Sequence, residues 1–349
     1  MAKVCIPGKF SVCSASAVRF EAFSLFYGTF HMQTIGNIWL WGGFAVVVVV
    51  ALLVDLVLMR HGGPHKVTFK EALWWSLGWI ALALLFNAGL WWYLHETAGS
   101  VLANRIGLEF LTGYLVEKSL AVDNIFVFLM VMNYFAVPEE QRQRVLVIGV
   151  LGAIVLRAVM IFAGAVLLTK FHWLLYVFGA FLLLTGVKMW FSAGKEPDVE
   201  ANPVLRWMRS HLRISPQYNG NRLMLEKDGV RWFTPLFVVL ILIAVTDVIF
   251  AVDSIPAIFA ITTDPFIVLT SNVFAVLGLR AMFFLLAGMA DRFHLLPYGL
   301  AVVLVFIGLK MLAIDLVKLP IWVSLGAVFV IIATTVVLSL RSPPRPHGS

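Results

Sequence analysis

Long apolar runs, each about the thickness of a bilayer core, alternate with short polar connections from residue 38 to residue 340. A spanning helix needs roughly 20 mainly apolar residues. That criterion predicts nine: 38–59, 70–94, 108–134, 145–169, 172–192, 234–260, 267–290, 296–314 and 319–340. The third and sixth carry charges inside the run and stand out less than the others. The expected fold class is all-α, a polytopic membrane protein. One polar stretch, 193–233, is long enough to form structure outside the membrane. Pro203 can open a short helix with Leu205, Met208 and Leu212 on one side and Arg206, Arg209 and Arg213 on another. That pattern suits the boundary between acyl chains and anionic headgroups. Arg222–Glu226 and Val230–Phe233 flank Asp228-Gly229, a pair that suits a type I′ hairpin turn. The plainer reading of the whole stretch is a structured cytoplasmic cap, and the stronger one a ligand-binding domain.

Both ends break the pattern. Residues 1–31 are mixed, and Phe20–Phe30 is too short to span. They lack the order of a secretory signal: basic start, apolar run, small-residue cleavage site. Met32-Gln33-Thr34-Ile35-Gly36 opens a cleaner start, so 1–31 read as an N-terminal extension or leader. The Pro-rich tail 341–349 is expected to be disordered.

Composition agrees with a lipid solvent. Hydrophobic residues make up 61% of the 349 and charged residues 13%, with a mean hydropathy of +0.94. A soluble domain is nearer 45–50% apolar and about 25% charged. The formal charge of +7 does not point to nucleic acid, because the basic residues lie scattered in connections. Fifteen Lys and Arg fall on one alternating set of connections, and only Arg105, Lys170 and Lys318 on the other from Met32 onward. The positive-inside rule then predicts an outside N-terminus and a cytoplasmic C-terminus. Cys5 and Cys13, the two cysteines, both precede the apolar region, which leaves no thiolate metal site within it.

The chain contains itself twice. Ala121-Val122-Asp123-Asn124 recurs as Ala251-Val252-Asp253-Ser254, and Leu156-Arg157-Ala158 as Leu279-Arg280-Ala281. Phe171-His172, Leu174 and Tyr176 recur as Phe293-His294, Leu296 and Tyr298. Gly186, Lys188 and Met189 recur as Gly308, Lys310 and Met311, and the offset falls only from 130 to 122. Each copy holds three spans: repeat one over 108–192, repeat two over 234–314. Three is odd, so the copies enter the membrane from opposite sides. Such inverted repeats are a transporter architecture, with the site at the repeat interface near mid-membrane.

Glu117, Asp123, Asp247 and Asp253 sit inside predicted spans. Each ionised group there costs at least about 2.5–3.5 kcal/mol on insertion scales, so each must face a partner or an aqueous path. Residues seven apart share a helix face. Glu117 therefore aligns with Asn124, and Asp247 with Ser254, whereas Asp123 and Asp253 point roughly 120° away unless the helix opens, as Pro256 could allow. Carboxylates with an Asn amide and a Ser hydroxyl form a hard, all-oxygen donor set for Mg²⁺, Ca²⁺ or Mn²⁺. Met130, Met132, Met160, Met189, Met282, Met289 and Met311 could add a softer ligand favouring Mn²⁺, although Met in such helices usually fills space. The candidate metal set is Glu117, Asp123, Asn124, Asp247, Asp253 and Ser254. Lys118, Arg157 and Arg280 are the charge-balancing candidates, either exchanging with a cation or acting as fixed salt bridges. Lys188 is explained by snorkelling to its helix end. Asp55 and Asn87 read as helix–helix hydrogen-bonding residues. His172 and His294 fall at helix ends on opposite sides of the membrane. No nucleophile–base constellation or phosphate-binding glycine loop suggests an enzyme, and no cofactor is expected.

Glu117-Lys118-Ser119-Leu120-Ala121-Val122-Asp123-Asn124, together with Asp247–Ala257 and Thr262-Thr263-Asp264-Pro265-Phe266, resembles the paired signature of the TerC family, close to its Alx branch. The resemblance covers about 36–340 and implies a bacterial inner-membrane protein. The implied activity is manganese export, with the six acidic-motif residues as the transport-site candidates. Relatives linked to tellurite resistance or to membrane-protein insertion suggest the alternative: an assembly or stress-complex component acting through 193–233. Expelling two charges against an inside-negative potential of 100 mV costs roughly 4.6 kcal/mol. Export therefore needs coupling, and carboxylates that exchange Mn²⁺ for protons entering the cell would supply it. The expected partners are membrane lipid and a divalent cation.

Overall fold

A computed structural model of the protein describes residues 34–61, 68–171, 173–192, 199–200, 202–220, 222–227, 230–287, 295–316 and 319–341. The described residues form α1 (Ile38–His61), α2 (Phe69–Ala98), α3 (Ser100–Tyr134), α4 (Glu139–Lys170), α5 (Leu174–Ser192), α6 (Pro203–His211), β1 (Met224–Lys227), β2 (Val230–Phe233), α7 (Pro235–Phe259), α8 (Pro265–Leu277), α9 (Leu279–Ala287), α10 (Leu296–Leu312) and α11 (Ile321–Arg341). Residues 1–33, the 193–198 segment, Asp228-Gly229, His172, His294 and the tail 342–349 lie outside the described residues. The expectations placed on them are therefore not addressed by the fold.

All nine apolar windows fall on helices, and the protein is an all-α membrane protein. Among the described residues, six helices can cross a membrane by length and composition, or seven when α8 and α9 count as one span bent by 41°. The difference from nine has two sources. Helix α3 is 35 residues long, but Arg105, Glu109, Glu117, Lys118 and Asp123 interrupt its apolar run. Helix α10 is apolar yet has only 17 residues.

Local chemistry sets several helix starts. Proline occupies the first turn of α6, α7 and α8, where a missing N–H costs nothing. Asn202 and Asp264 cap α6 and α8 by accepting from backbone N–H groups. Asp264 does more: Thr34 Oγ1 donates to it at 2.8 Å and Ile35 N at 2.7 Å, which ties the segment before α1 to the α7–α8 turn.

The two sequence copies fall on α3–α5 and on α7–α10, where α8 and α9 together fill the place of one span. Helix α3 packs on α8 and α4 on α7; α5 packs on α7 and α3 on α10; the equivalents α3/α7, α4/α8 and α5/α10 also touch. This reciprocity is what the inverted repeat expected from the sequence would produce. The closest crossing, α5 on α10, repeats it atom by atom. A Cβ on Gly186 would lie 2.9 Å from the Ala301 carbonyl oxygen and from the Val305 nitrogen. On Gly308 it would lie 2.9 Å from the Gly179 oxygen and 2.8 Å from the Leu183 nitrogen. The offset of 122 that relates the two glycines also relates Gly179 to Ala301 and Leu183 to Val305. One backbone-to-backbone contact thus occurs twice, and small residues make it possible.

The cap is compact, and β1 pairs with β2 antiparallel as expected. Helix α6 departs from the interfacial expectation. Leu205 and Met208 are buried against the protein, in the same apolar cluster as Leu236 and Val239 of α7. The apolar stripe was consumed by intramolecular packing, and the exposed aromatic on α6 is Trp207. The Tyr218 hydroxyl donates to the Phe135 carbonyl at 2.7 Å, and Gln141 Nε2 donates to Gly220 O at 2.9 Å. These bonds fasten the cap to the α3–α4 turn.

Candidate functional site

Two apolar clusters fill the molecule. Helix α3 leaves one after Val116 and Leu120 and enters the other at Ala121 and Ile125; α7 passes the opposite way between Ile243 and Ala251. Asp247 sits at the changeover of α7 and Glu117 one turn before that of α3; the two are 130 residues apart and matched in the sequence repeat. Both are buried, Glu117 completely.

Arg157 of α4 joins them. Its side chain is wholly buried; Nη1 pairs with Glu117 Oε1, and Nη2 lies 3.3 Å from Asp247 Oδ1. Nη1 also donates to Asn272 Oδ1 of α8 at 3.2 Å. One guanidinium therefore links α3, α7 and α8 from α4. Two carboxylates and one guanidinium leave one formal negative charge. Glu117 Oε2, Asp247 Oδ2, Ser254 Oγ and Asn272 Nδ2 are buried without a hydrogen-bond partner among the described residues. Orphaned polar atoms in a low-dielectric interior are costly.

Helical phase divides the motifs as the sequence implied. Glu117 and Asn124, seven apart, are both buried, as are Asp247 and Ser254. Asp253 is half-buried on another face of α7 and accepts a long hydrogen bond, 3.5 Å, from Thr185 Oγ1 of α5. Pro256 lies within the last turn of a continuous α7, so it does not turn Asp253 toward Asp247. Asp123 lies on α3, and its side chain is outside the described residues. Consequently the six candidate ligands do not form one cluster. Among the described residues no group of three or more His, Cys, Asp or Glu is close enough to hold a metal ion.

The three basic candidates separate as well. Arg157 holds the acids. Lys118, despite adjoining Glu117, donates to Ala275 O at 3.2 Å, near the C-terminus of α8. Side chains adjacent in sequence do not share a helix face, so Lys118 caps the carbonyl end of the broken span. Gly278 at that break leaves it room: a Cβ there would lie 2.6 Å from Lys118 Nζ. Arg280 pairs with Asp55 Oδ1 of α1 at 2.5 Å, not with the acidic motif. Asp55 is thus an ion-pair partner, more than the helix–helix hydrogen-bonding residue expected of it. Asn87 is buried beside Gly107, with Oδ1 unpartnered among the described residues. Asn272 is the residue the sequence reading missed. Its signal was present: a polar Thr270-Ser271-Asn272 run inside an apolar window, fully buried in the fold.

Residues 102–346 match the profile of the integral membrane protein TerC family. A protein of Salmonella typhi named as a membrane-bound redox modulator, Alx, is 58% identical over 308 residues, covering 88% of this chain and 96% of its own length. The same name, identity and coverage apply to a protein of Escherichia coli strain K12. An uncharacterized membrane protein of Myxococcus xanthus is 47% identical over 307 residues, covering 88% and 93%. No solved structure matches significantly.

Proposed function

Because this chain belongs to the TerC family of integral membrane proteins, we propose that it exports a divalent cation, most specifically Mn²⁺, in exchange for protons moving inward across the bacterial inner membrane. The observation that carries the reading is the buried Glu117–Arg157–Asp247 bridge at the interface of the two copies. A guanidinium between two matched carboxylates is the charge-neutralising occupant of a cation-depleted state. The carboxylate oxygens left unpartnered, with Ser254 and Asn124 buried seven residues along the same helices, supply hard donors suited to Mn²⁺ as cargo. Asp253 and Asp123 are assigned to the path that carries cations or protons to this site.

The orientation assigned is N-terminus outside and C-terminus cytoplasmic, on the strength of the loop charges. The relatives' name invites a redox reading. No cysteine falls between residues 34 and 349, so a redox effect of this chain's membrane domain would follow from metal supply and not from thiol chemistry. Purified protein in liposomes should move Mn²⁺ when a pH gradient is imposed. No movement at any gradient overturns the proposal.

A further inference from the structure

The two repeat-related arginines have different fates, although the repeat gives them the same destination. Arg157 touches Glu117 and Asp247. The operation that turns one copy into the other exchanges these two acids and converts Arg157 into Arg280. Applied to the observed bridge, it predicts Arg280 on Asp247 and Glu117, which is the same acidic pair. Arg157 already spans the two carboxylates, so Arg280 could take that bridging place only by displacing it. In this structure Arg280 is instead held by Asp55, a residue of α1 outside both copies.

Three features show how this asymmetry is built. Asp55 has no repeat counterpart, because α1 precedes both copies. Asn272, which accepts from Arg157, has Gly149 at the position 123 residues earlier, so only one arginine finds an amide at the site. Arg280 lies two residues past the break at Gly278, where α9 bends from α8 by 41°. A small cavity beside the Asp55–Arg280 pair is lined by Leu52, Trp79, Val150 and Leu277. Val150 lies two turns, about 10 Å, along α4 from Arg157. Arg280 thus sits near a bend, next to a space walled in part by α4, the helix that carries its counterpart.

We infer that Asp55 is a positioning residue that withholds Arg280 from the Glu117–Asp247 pair, so that Arg157 and Arg280 occupy the acids alternately in the two states of the transport cycle. The inference rests on the transport reading above. The ion pair with Asp55 and the Asn272 bond both favour the Arg157 state. Release of Arg280, with rotation at Gly278, delivers the other.

Two measurements test this, and only the second depends on transport. Arg157→Met leaves buried acids uncompensated and should lower the melting temperature in detergent by about 10 °C. Adding Asp55→Asn frees Arg280 to replace the lost guanidinium and should recover at least half of that loss. A double variant that melts no higher than Arg157→Met overturns the exchange, since a purely structural Asp55–Arg280 pair makes the double variant worse. In liposomes, Asp55→Asn should raise the KM for Mn²⁺ at least about fivefold, or about 1 kcal/mol, because freed Arg280 competes with the cation. Asp55→Asn/Arg280→Met should bring KM back toward wild type, and Asp55→Glu should keep it there. An unchanged KM in Asp55→Asn, or no return in the double variant, also overturns it. A wild type that carries no Mn²⁺ defeats the transport reading, while the melting comparison still decides the exchange.

Discussion

Gly186 and Gly308 make one interhelical contact twice, each set against the backbone of the partner helix at 2.8–2.9 Å for an added Cβ. Backbone atoms stand among the nearest neighbours at both contacts, and they cannot swing aside as a flexible side chain does. Gly186→Leu and Gly308→Leu should each destabilise the protein by about 1–3 kcal/mol, the usual range for overpacking. The two losses should be alike, because the sites are equivalent. Thermal melting of detergent-solubilised protein reads this directly. A large loss at one glycine with none at the other would contradict the symmetry of the crossing.

Asp264 offers a second test, at the opposite kind of site. Its carboxylate caps α8 through Phe266 N at 2.9 Å and holds Thr34 and Ile35. Asp264→Ala should remove a cap worth about 1 kcal/mol and release the segment before α1. Faster amide exchange at residues 34–37, with α3 to α5 unaffected, is the expected signature. Asp264→Asn keeps one acceptor and should fall between the two.

How much of this was legible in the sequence depends on the kind of information each residue carries. Glu117 with Asn124, and Asp247 with Ser254, could be placed on shared faces because helical phase is a local property. Arg157 could be nominated as their counter-charge because it was a repeated charge inside a span. The destinations of Lys118 and Arg280 could not be read. Both depend on the break at Gly278, and one glycine in an apolar run does not announce a 41° bend. Likewise the amphipathic stripe of α6 specifies that Leu205 and Met208 are buried, without saying whether lipid or α7 buries them.

The cap provides a pH test outside the membrane. Burial pushes the Tyr218 phenol up to about 12, from an ordinary value near 10. The neutral phenol donates to Phe135 O in the fold. A raised folded value means that this contribution is complete below the unfolded value and is lost as pH rises from about 10 through about 12. Wild type should therefore lose stability over that window more steeply than Tyr218→Phe. Below pH 9 the two curves should run parallel, with Tyr218→Phe lower by about 1 kcal/mol for the missing hydrogen bond.

The acidic residues and the cap together separate metal export from an assembly role. Asp247→Asn removes a charge from the Arg157 bridge and should abolish Mn²⁺ flux; Glu117 still balances Arg157, so the stability loss should be about 1–3 kcal/mol, that of a weakened charged hydrogen bond. Because that variant alone confounds folding with function, Asp253→Asn is the sharper probe. Asp253 lies outside the bridge, half-buried, and accepts a long 3.5 Å bond from Thr185. Its neutralisation should change the melting temperature little and yet reduce flux at least tenfold. On the partner surface the matching probe is Trp207→Ala, which alters an exposed side chain and spares the buried Leu205 and Met208. In cells challenged with Mn²⁺, Asp253→Asn should lose tolerance and Trp207→Ala should retain it. The reverse result would favour the assembly role, since it would make the phenotype depend on the cap and not on the carboxylates.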